Sequence, residues 1–258
     1  MAGTLKICLD AGHYGHYNSN TNVTPVYWES LMAWELHLLL KAELEKYVGV
    51  TVITTRADQT KDMGLESRGR YSRGCDLFIS LHSNSCDTPS VDRPVVIYPV
   101  SGEKAELASK LAQTVKEVMQ TNDPSRTYQR WNSAHNADYH GVIRGAASVG
   151  VPGLIIEHSF HSNNRSAKWL QSTANLRTLA EAEAAVLAEE YGLRKKGSPF
   201  SDVPEDRWSY DAICRCYDAG IMKGTGNGKF SPAKTVTREQ LAVVASKLMD
   251  YADKKGGG

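Results

Sequence analysis

Five short apolar runs of strand length constrain this chain most. They cover residues 5–9, 50–55, 75–81, 95–98 and 154–156, and longer segments with helical spacing lie between several of them. Leu5, Ile7 and Leu9 alternate with other residues before the turn Asp10-Ala11-Gly12, as a strand with a tight exit does. Residues 50–55 are rich in β-branched side chains. Met32, Leu36, Leu39, Leu40, Leu44 and Tyr47 recur at the spacing of one helix face, predicting a helix over 29–47 that ends at Gly49. Further helices are predicted over 65–73 (closed by Gly74), over 103–119 and, as one long Ala-rich element, over 166–191. Strands alternating with helices predict an α/β fold with a largely parallel twisted sheet flanked by helices. The polar stretch 14–24 reads as a surface loop.

The same pattern places chemistry. His13 follows the first strand and its turn, His82 stands at the end of the 75–81 run, and Glu157 directly ends the 154–156 run. Glu29 opens the first helix. In open α/β sheets the ligand crevice lies beyond the carboxyl ends of the strands, so these four residues are expected to converge there. Two imidazoles and a carboxylate form a suitable catalytic zinc set with a position left for water, and a second carboxylate can take a proton from that water. The residue chemistry alone supports amide or ester hydrolysis. A histidine taken singly is more often a surface or core residue, and the pattern by itself does not exclude His16 or His161 as ligands. Glu35 reads as an ordinary exposed helix residue.

Bulk properties narrow the function classes. Lys plus Arg number 30 and Asp plus Glu 29, a net +1, which gives no basic face for a nucleic-acid partner. No apolar run is long enough to span a bilayer. Cys8, Cys75, Cys86, Cys214 and Cys216 are odd in number, lack framework spacing, and read as reduced thiols. The segment MAGTLKICLDAGH carries one early lysine and only a short apolar stretch, so the expectation is synthesis in a cytoplasm without a signal peptide.

Residues 192–199, GLRKKGSP, combine Gly, Pro, Ser and three basic residues and read as a linker. The expected organisation is a catalytic domain over 1–191 and a small C-terminal helical domain over 200–258 with a disordered end. Within the latter, Asp206 is expected to start one helix and Gly220 to close it. Thr237 is expected to cap a second helix, with Gln240 completing a capping box.

Several separated motifs carry a family resemblance. LDAGH (9–13), YWES with Trp34 behind it, TTRADQT followed by LESRGR, DLFISLHSNS and IIEHSFHSN occur in the order found in zinc-dependent N-acetylmuramoyl-L-alanine amidases of bacterial cell-wall hydrolases and phage endolysins, which residues 4–191 resemble. The resemblance implies one Zn2+ per chain held by His13, Glu29 and His82, with Glu157 as general base. It implies peptidoglycan as substrate, cut between the lactyl group of N-acetylmuramic acid and L-alanine. Asp-Ala-Gly-His stands where Asp-Pro-Gly-His is frequent in the family.

Arg144, in YHGVIRGA, is read either as a cation for a stem-peptide carboxylate or as a solvated arginine. Asn84 and Asn163 either bond substrate or shape turns, and His158 and His161 are read as structural supports. A plain alternative for Glu157 is a structural ion pair with Arg144.

Residues 200–251 resemble one S-layer homology repeat, on FSDVPEDRWSYDAI, AGIMKGTGNGKFSP and VTREQLA. That resemblance implies an acidic secondary cell-wall polymer as a further partner, with Arg238 as its charge contact. Trp208 is expected in the small core rather than in stacking. The leading expectation is a wall amidase, acting at the bacterial cell wall as a phage or prophage lysin or a mother-cell lytic enzyme. The competing expectations are another zinc amide hydrolase on peptidoglycan, a peptidase or deacetylase, and a non-catalytic wall-binding protein.

Overall fold

A computed structural model of the chain describes residues 5–59, 61–204 and 206–256. It divides into two compact units, Met1–Arg194 and Lys195–Gly258. The first contains β1 (Leu5–Ala11), β2 (Ser19–Asn20), β3 (Tyr27–Trp28), α1 (Glu29–Leu44), β4 (Val50–Thr54), α2 (Leu65–Arg70), β5 (Leu77–Asn84) and β6 (Val95–Ile97). It continues with α3 (Ala105–Met119), β7 (Arg126–Tyr128), α4 (Gly141–Ala147), β8 (Gly153–Phe160), α5 (Asn164–Leu170) and α6 (Thr173–Glu190).

Six strands form one sheet in the order β4-β1-β5-β8-β6-β7. The β4, β1, β5 and β8 strands run parallel, β6 is antiparallel to β8, and β7 is parallel to β6. This is the mostly parallel α/β sheet that the alternation of elements predicts. Alternation along each strand then sorts side chains to two faces. Ile7, Leu9, Leu77, Ile79, Leu81, Leu154 and Ile156 join one core with apolar residues of α1, α3 and α6. Cys8, Phe78 and Ile155 join a second core with Val142, Ile143 and Ala146 of α4.

The chain goes from β1 to β4 on one side and then crosses to β5 on the other, so the strand order reverses between β1 and β5. That reversal opens a crevice at the carboxyl ends of these strands.

Three local readings need correction. The β5 and β8 strands run past residues 81 and 156 to Asn84 and Phe160, so His82 and Glu157 lie inside strands rather than at their ends. A bulge lets them continue: His82 pairs with Glu157 and Asn84 with Phe160, leaving one extra residue on β8, where Ser159 has a φ of 85°. The helix expected over 166–191 is two helices, because Ser172 caps α6 by accepting from the Asn175 N–H. Part of the polar stretch 14–24 is structure rather than plain loop: β2 pairs with β3, and Asn20 is buried with its amide on the His161 carbonyl and the Asn164 side chain.

The second unit holds α7 (Tyr210–Asp218), which gives Ile213 to a small core with Phe200 and Val203, and α8 (Arg238–Gly256), whose large apolar side chains Leu241, Val243, Leu248 and Met249 are exposed. Asp202 clamps the intervening loop by accepting from the Phe230 and Ser231 N–H groups at 2.8 and 2.9 Å. Thr237 and Gln240 form the expected reciprocal capping box, at 3.0 and 3.2 Å. The first helix starts at Tyr210, not at Asp206, which lies in the turn before it. Trp208 is not a core residue: it is 93% exposed, because it stands in that turn, outside the apolar face of α7. The described residues contain no disulfide, and no helix among them is long and apolar enough to cross a membrane.

The α2 and α4 helices cross with almost no separation. A methyl group on Gly69 would collide with the Val142 carbonyl and the Ala146 nitrogen, and one on Gly145 with the Glu66 carbonyl. Backbone cannot retreat as a side chain can. Gly69→Ala is therefore expected to lower unfolding stability by about 1–3 kcal/mol, measured by urea denaturation; a variant with an unchanged midpoint would show that the crossing is loose.

Candidate active site

The site begins with a buried charge network under the end of β1. Asp10 is fully buried and accepts from Thr55 Oγ1 at 2.6 Å, Ser80 Oγ at 2.7 Å and Arg68 Nη1 at 3.2 Å. Arg68 also donates to the Ala11 carbonyl at 2.7 Å and the His13 carbonyl at 2.8 Å, while Arg56 reaches Ala11 from the other side at 2.9 Å. The two arginine-bearing motifs therefore hold the turn after β1. His13 sits in that turn with a φ of 59°, a conformation that a non-glycine residue keeps only when its surroundings impose it.

Gly12 is required for a different reason. A Cβ there would run into the His82 ring.

His13, Glu29 and His82 come together, with one ligand-capable atom of each within 4.8 Å of the others; no other such group of three occurs among the described residues. The Glu29 Oε1 lies 2.8 Å from His82 Nδ1 and 3.1 Å from His13 Nε2. Its carboxylate is further held by the Ser83 N–H at 3.1 Å and the Asn18 amide at 2.7 Å. Burial alone would raise the Glu29 carboxyl, but the two imidazoles hold it far below the usual carboxylate range. Burial would lower His82, and the hydrogen bond and charge of Glu29 instead raise it to about 9. Asn18 and Ser83 were not legible as site residues. Asn18 hides among several polar loop residues, and Ser83 lies between two motif positions.

Glu157 pairs in register with His82, so both side chains project from the same sheet face, the face covered by α4. Burial pushes its carboxyl up to about 7, with Glu29 repelling and His82 attracting the charged form. Its Oε2 is buried without a hydrogen-bond partner. A cavity of about 350 Å³ joins His13, Glu29, His82 and Glu157, and its wall includes Asn84, His140 and Val142.

The remaining candidates divide clearly. Asn84 lines the cavity. Asn163 caps α5 by accepting from the Arg165 and Ser166 N–H groups. His158 faces the opposite side, bonding the Glu183 carboxylate and the His82 carbonyl at 2.8 Å each, and His161 bonds Ser83. His16 packs against Trp28, and neither it nor Glu35 joins the cluster.

Arg144 is partly exposed, and its donors are engaged within the protein. Its guanidinium is occupied by Glu66 at 2.8 Å and by the carbonyls of Asp138 and Tyr139 at 2.8 and 3.0 Å. The ion pair between Glu157 and Arg144 is absent for the same reason. Arg238 is exposed at the first position of α8.

The tight fit of Gly12 against the His82 imidazole gives a direct test. Gly12→Ala is expected to lower the melting temperature by several degrees, as overpacking costs of about 1–3 kcal/mol do. Scanning calorimetry measures this, and an unchanged melting temperature would mean that the ring has room to move aside.

The chain matches known proteins in the same two parts. The family model described as N-acetylmuramoyl-L-alanine amidase, Amidase_3, matches residues 7–189, and the S-layer homology domain model matches 199–242. The N-acetylmuramoyl-L-alanine amidase CwlM of Bacillus licheniformis is 26% identical over 195 residues, 75% of this chain and 72% of that protein. The sporulation-specific N-acetylmuramoyl-L-alanine amidase of Bacillus subtilis is 26% identical over 196 residues, 75% of this chain and 71% of its own length. The crystal structure of an N-acetylmuramoyl-L-alanine amidase from Clostridium difficile 630 shares the fold, with a TM-score of 0.63 at 17% identity over 74% of this chain and 98% of that one. The chain belongs to the Amidase_3 family of N-acetylmuramoyl-L-alanine amidases and carries a C-terminal S-layer homology domain.

Proposed function

We propose that this protein is a zinc-dependent amidase that hydrolyses the bond between the lactyl group of N-acetylmuramic acid and L-alanine in peptidoglycan. The observation that carries the proposal is the convergence of His13, Glu29 and His82 beside the buried carboxylate of Glu157, in a chain of this family. The donor set suits the metal: two imidazoles and one carboxylate, with the carboxylate kept ionised and held from behind by Asn18 and Ser83. A zinc ion held there would supply Lewis acidity, lowering the pKa of water and stabilising negative charge on the attacked carbonyl oxygen.

Within this reading the chain's own groups have separate tasks. Glu157 accepts the proton of the attacking water and delivers it to the departing amine of L-alanine. Its burial favours proton exchange near neutrality, although a cation held by the neighbouring residues would draw its affinity for protons down. The Asn84 amide, at the cavity wall, is available to the substrate backbone. The second unit is read as a wall-binding domain for an acidic secondary polymer, with Arg238 as a charge contact, and the enzyme as acting at the bacterial cell wall. The linker over 192–199 then separates catalysis from attachment.

Digestion of purified peptidoglycan tests the reaction. The expected products carry new L-alanine amino groups and no new reducing ends. Reducing ends would identify a glycosidase, and amines on other residues a peptidase. Glu157→Gln should reduce the rate by roughly two to four orders of magnitude while zinc content stays at the parental level.

Metal analysis tests the ligands. One zinc per chain is expected, and His82→Ala should lose most of it, since one of three protein donors is gone. Full occupancy in that variant would remove His82 from the set.

A further inference from the structure

The segment between β7 and α4 builds a rim beside the catalytic cavity. Trp131 and Asp138 face each other in an antiparallel bridge, and the Tyr139 N–H donates to the Arg130 carbonyl at 2.8 Å, closing the base of a small hairpin. The next residue, His140, lines the cavity that holds Glu157 and His82. The base is anchored from two sides. Asp138 is buried and accepts from the Val100 N–H at 2.9 Å, and Arg144 grips the carbonyls of Asp138 and Tyr139.

Arg130 stands at this base. Its guanidinium lies over the Tyr139 ring, 3.6 Å from the ring centre, and the residue is exposed. Among the described residues no carboxylate pairs with it. Stacking on Tyr139 limits where an otherwise flexible side chain can go, while leaving the in-plane N–H donors open. Its charge is felt inside the site: with burial as the larger cause, it helps to lower His140, and it opposes the upward shift that burial and Glu157 impose on Tyr128. It is therefore a positioned cation, stacked on the residue that precedes His140 of the cavity wall and without a carboxylate partner among the described residues.

We propose that Arg130 is a specificity-determining residue that receives a free carboxylate of the stem peptide, the one on the acidic residue following L-alanine. The inference rests on the amidase reading above and adds to it the part of the substrate that is recognised. Arg144 anchors the rim that presents Arg130, so it acts as a positioning residue. A planar guanidinium suits a carboxylate because two parallel N–H groups can meet two oxygens.

The test uses the full chain and two soluble muramoyl peptides, one with that carboxylate free and one with it converted to the amide. The parent is expected to favour the free acid. Arg130→Gln should raise KM for the free acid by about tenfold, the loss of one charge-assisted contact, with kcat nearly unchanged and little effect on the amide. Arg130→Lys should recover part of the loss. Equal changes on both substrates, a loss confined to kcat, or no change at all would overturn the assignment while leaving the amidase reading intact. A parent that releases no L-alanine amine from either peptide would overturn both.

Discussion

The buried pairing of Arg68 with Asp10 is the interaction on which the rest of the site depends. Removing two charges from water is costly, and the cost is offset only when every donor and acceptor finds a partner. Here Asp10 has Thr55, Ser80 and Arg68 around it, and Arg68 spends its other donors on Asp62 and on the carbonyls of Met63, Ala11 and His13. One side chain thus ties α2 to the exit of β1. The turn cannot relax to an extended path without orphaning carbonyls in the interior. His13 is held in a left-handed conformation, and its imidazole faces Glu29 and His82.

A second level of order follows from the charges above that turn. Glu29 is almost completely buried and would be protonated in a neutral pocket, but two imidazoles and two neutral donors keep it ionised. Without a metal the cluster is already close to neutral, with a raised His82 balancing Glu29. A divalent cation would take the place of the proton on His82, so metal binding and proton release are linked. Glu157 stands outside this balance. It has one buried oxygen without a partner and lies directly opposite His82 on the neighbouring strand.

Much of this was legible from the sequence because apolar runs of strand length lead directly into residues able to do chemistry, in motifs that resemble a known family. The structure adds the register: His82 is in phase with Phe78 and Ser80, and Glu157 with Ile155, so both share the face that Asp10 also occupies. The mostly parallel sheet could be read in advance, and so could the convergence of His13, Glu29, His82 and Glu157 on one cavity. The misses have definite causes. The bulge after His82 depends on a positive φ at Ser159, which no alternation reveals, so both strands were cut short. The break at Ser172 is a capping event inside an Ala-rich run, where helix propensity hides it. Trp208 was expected inside because tryptophan usually is, but a unit with a core as small as Phe200, Val203 and Ile213 has no room to take it. Asn18 needed tertiary information: nothing in its surroundings in sequence points to a carboxylate eleven residues away.

The α2–α4 crossing also gives Arg144 a place in the frame around the site. Gly69 and Gly145 let the two backbones meet, and this brings Glu66 within reach of Arg144. Arg144 then spans from α2 to the end of the 130–139 hairpin, through its bonds to the Asp138 and Tyr139 carbonyls. The wall carrying His140, Gly141 and Val142 is thereby fixed between a sheet face on one side and α2 on the other. Both side chains of the Arg144–Glu66 pair are well exposed, so the pair itself contributes little to stability. Its consequence is geometric, since it ties α2 to the carbonyls just before His140, Gly141 and Val142 of the cavity wall. Gly69 and Gly145 thus bear on that wall through the Glu66–Arg144 contact that their close approach permits, without lining the cavity themselves.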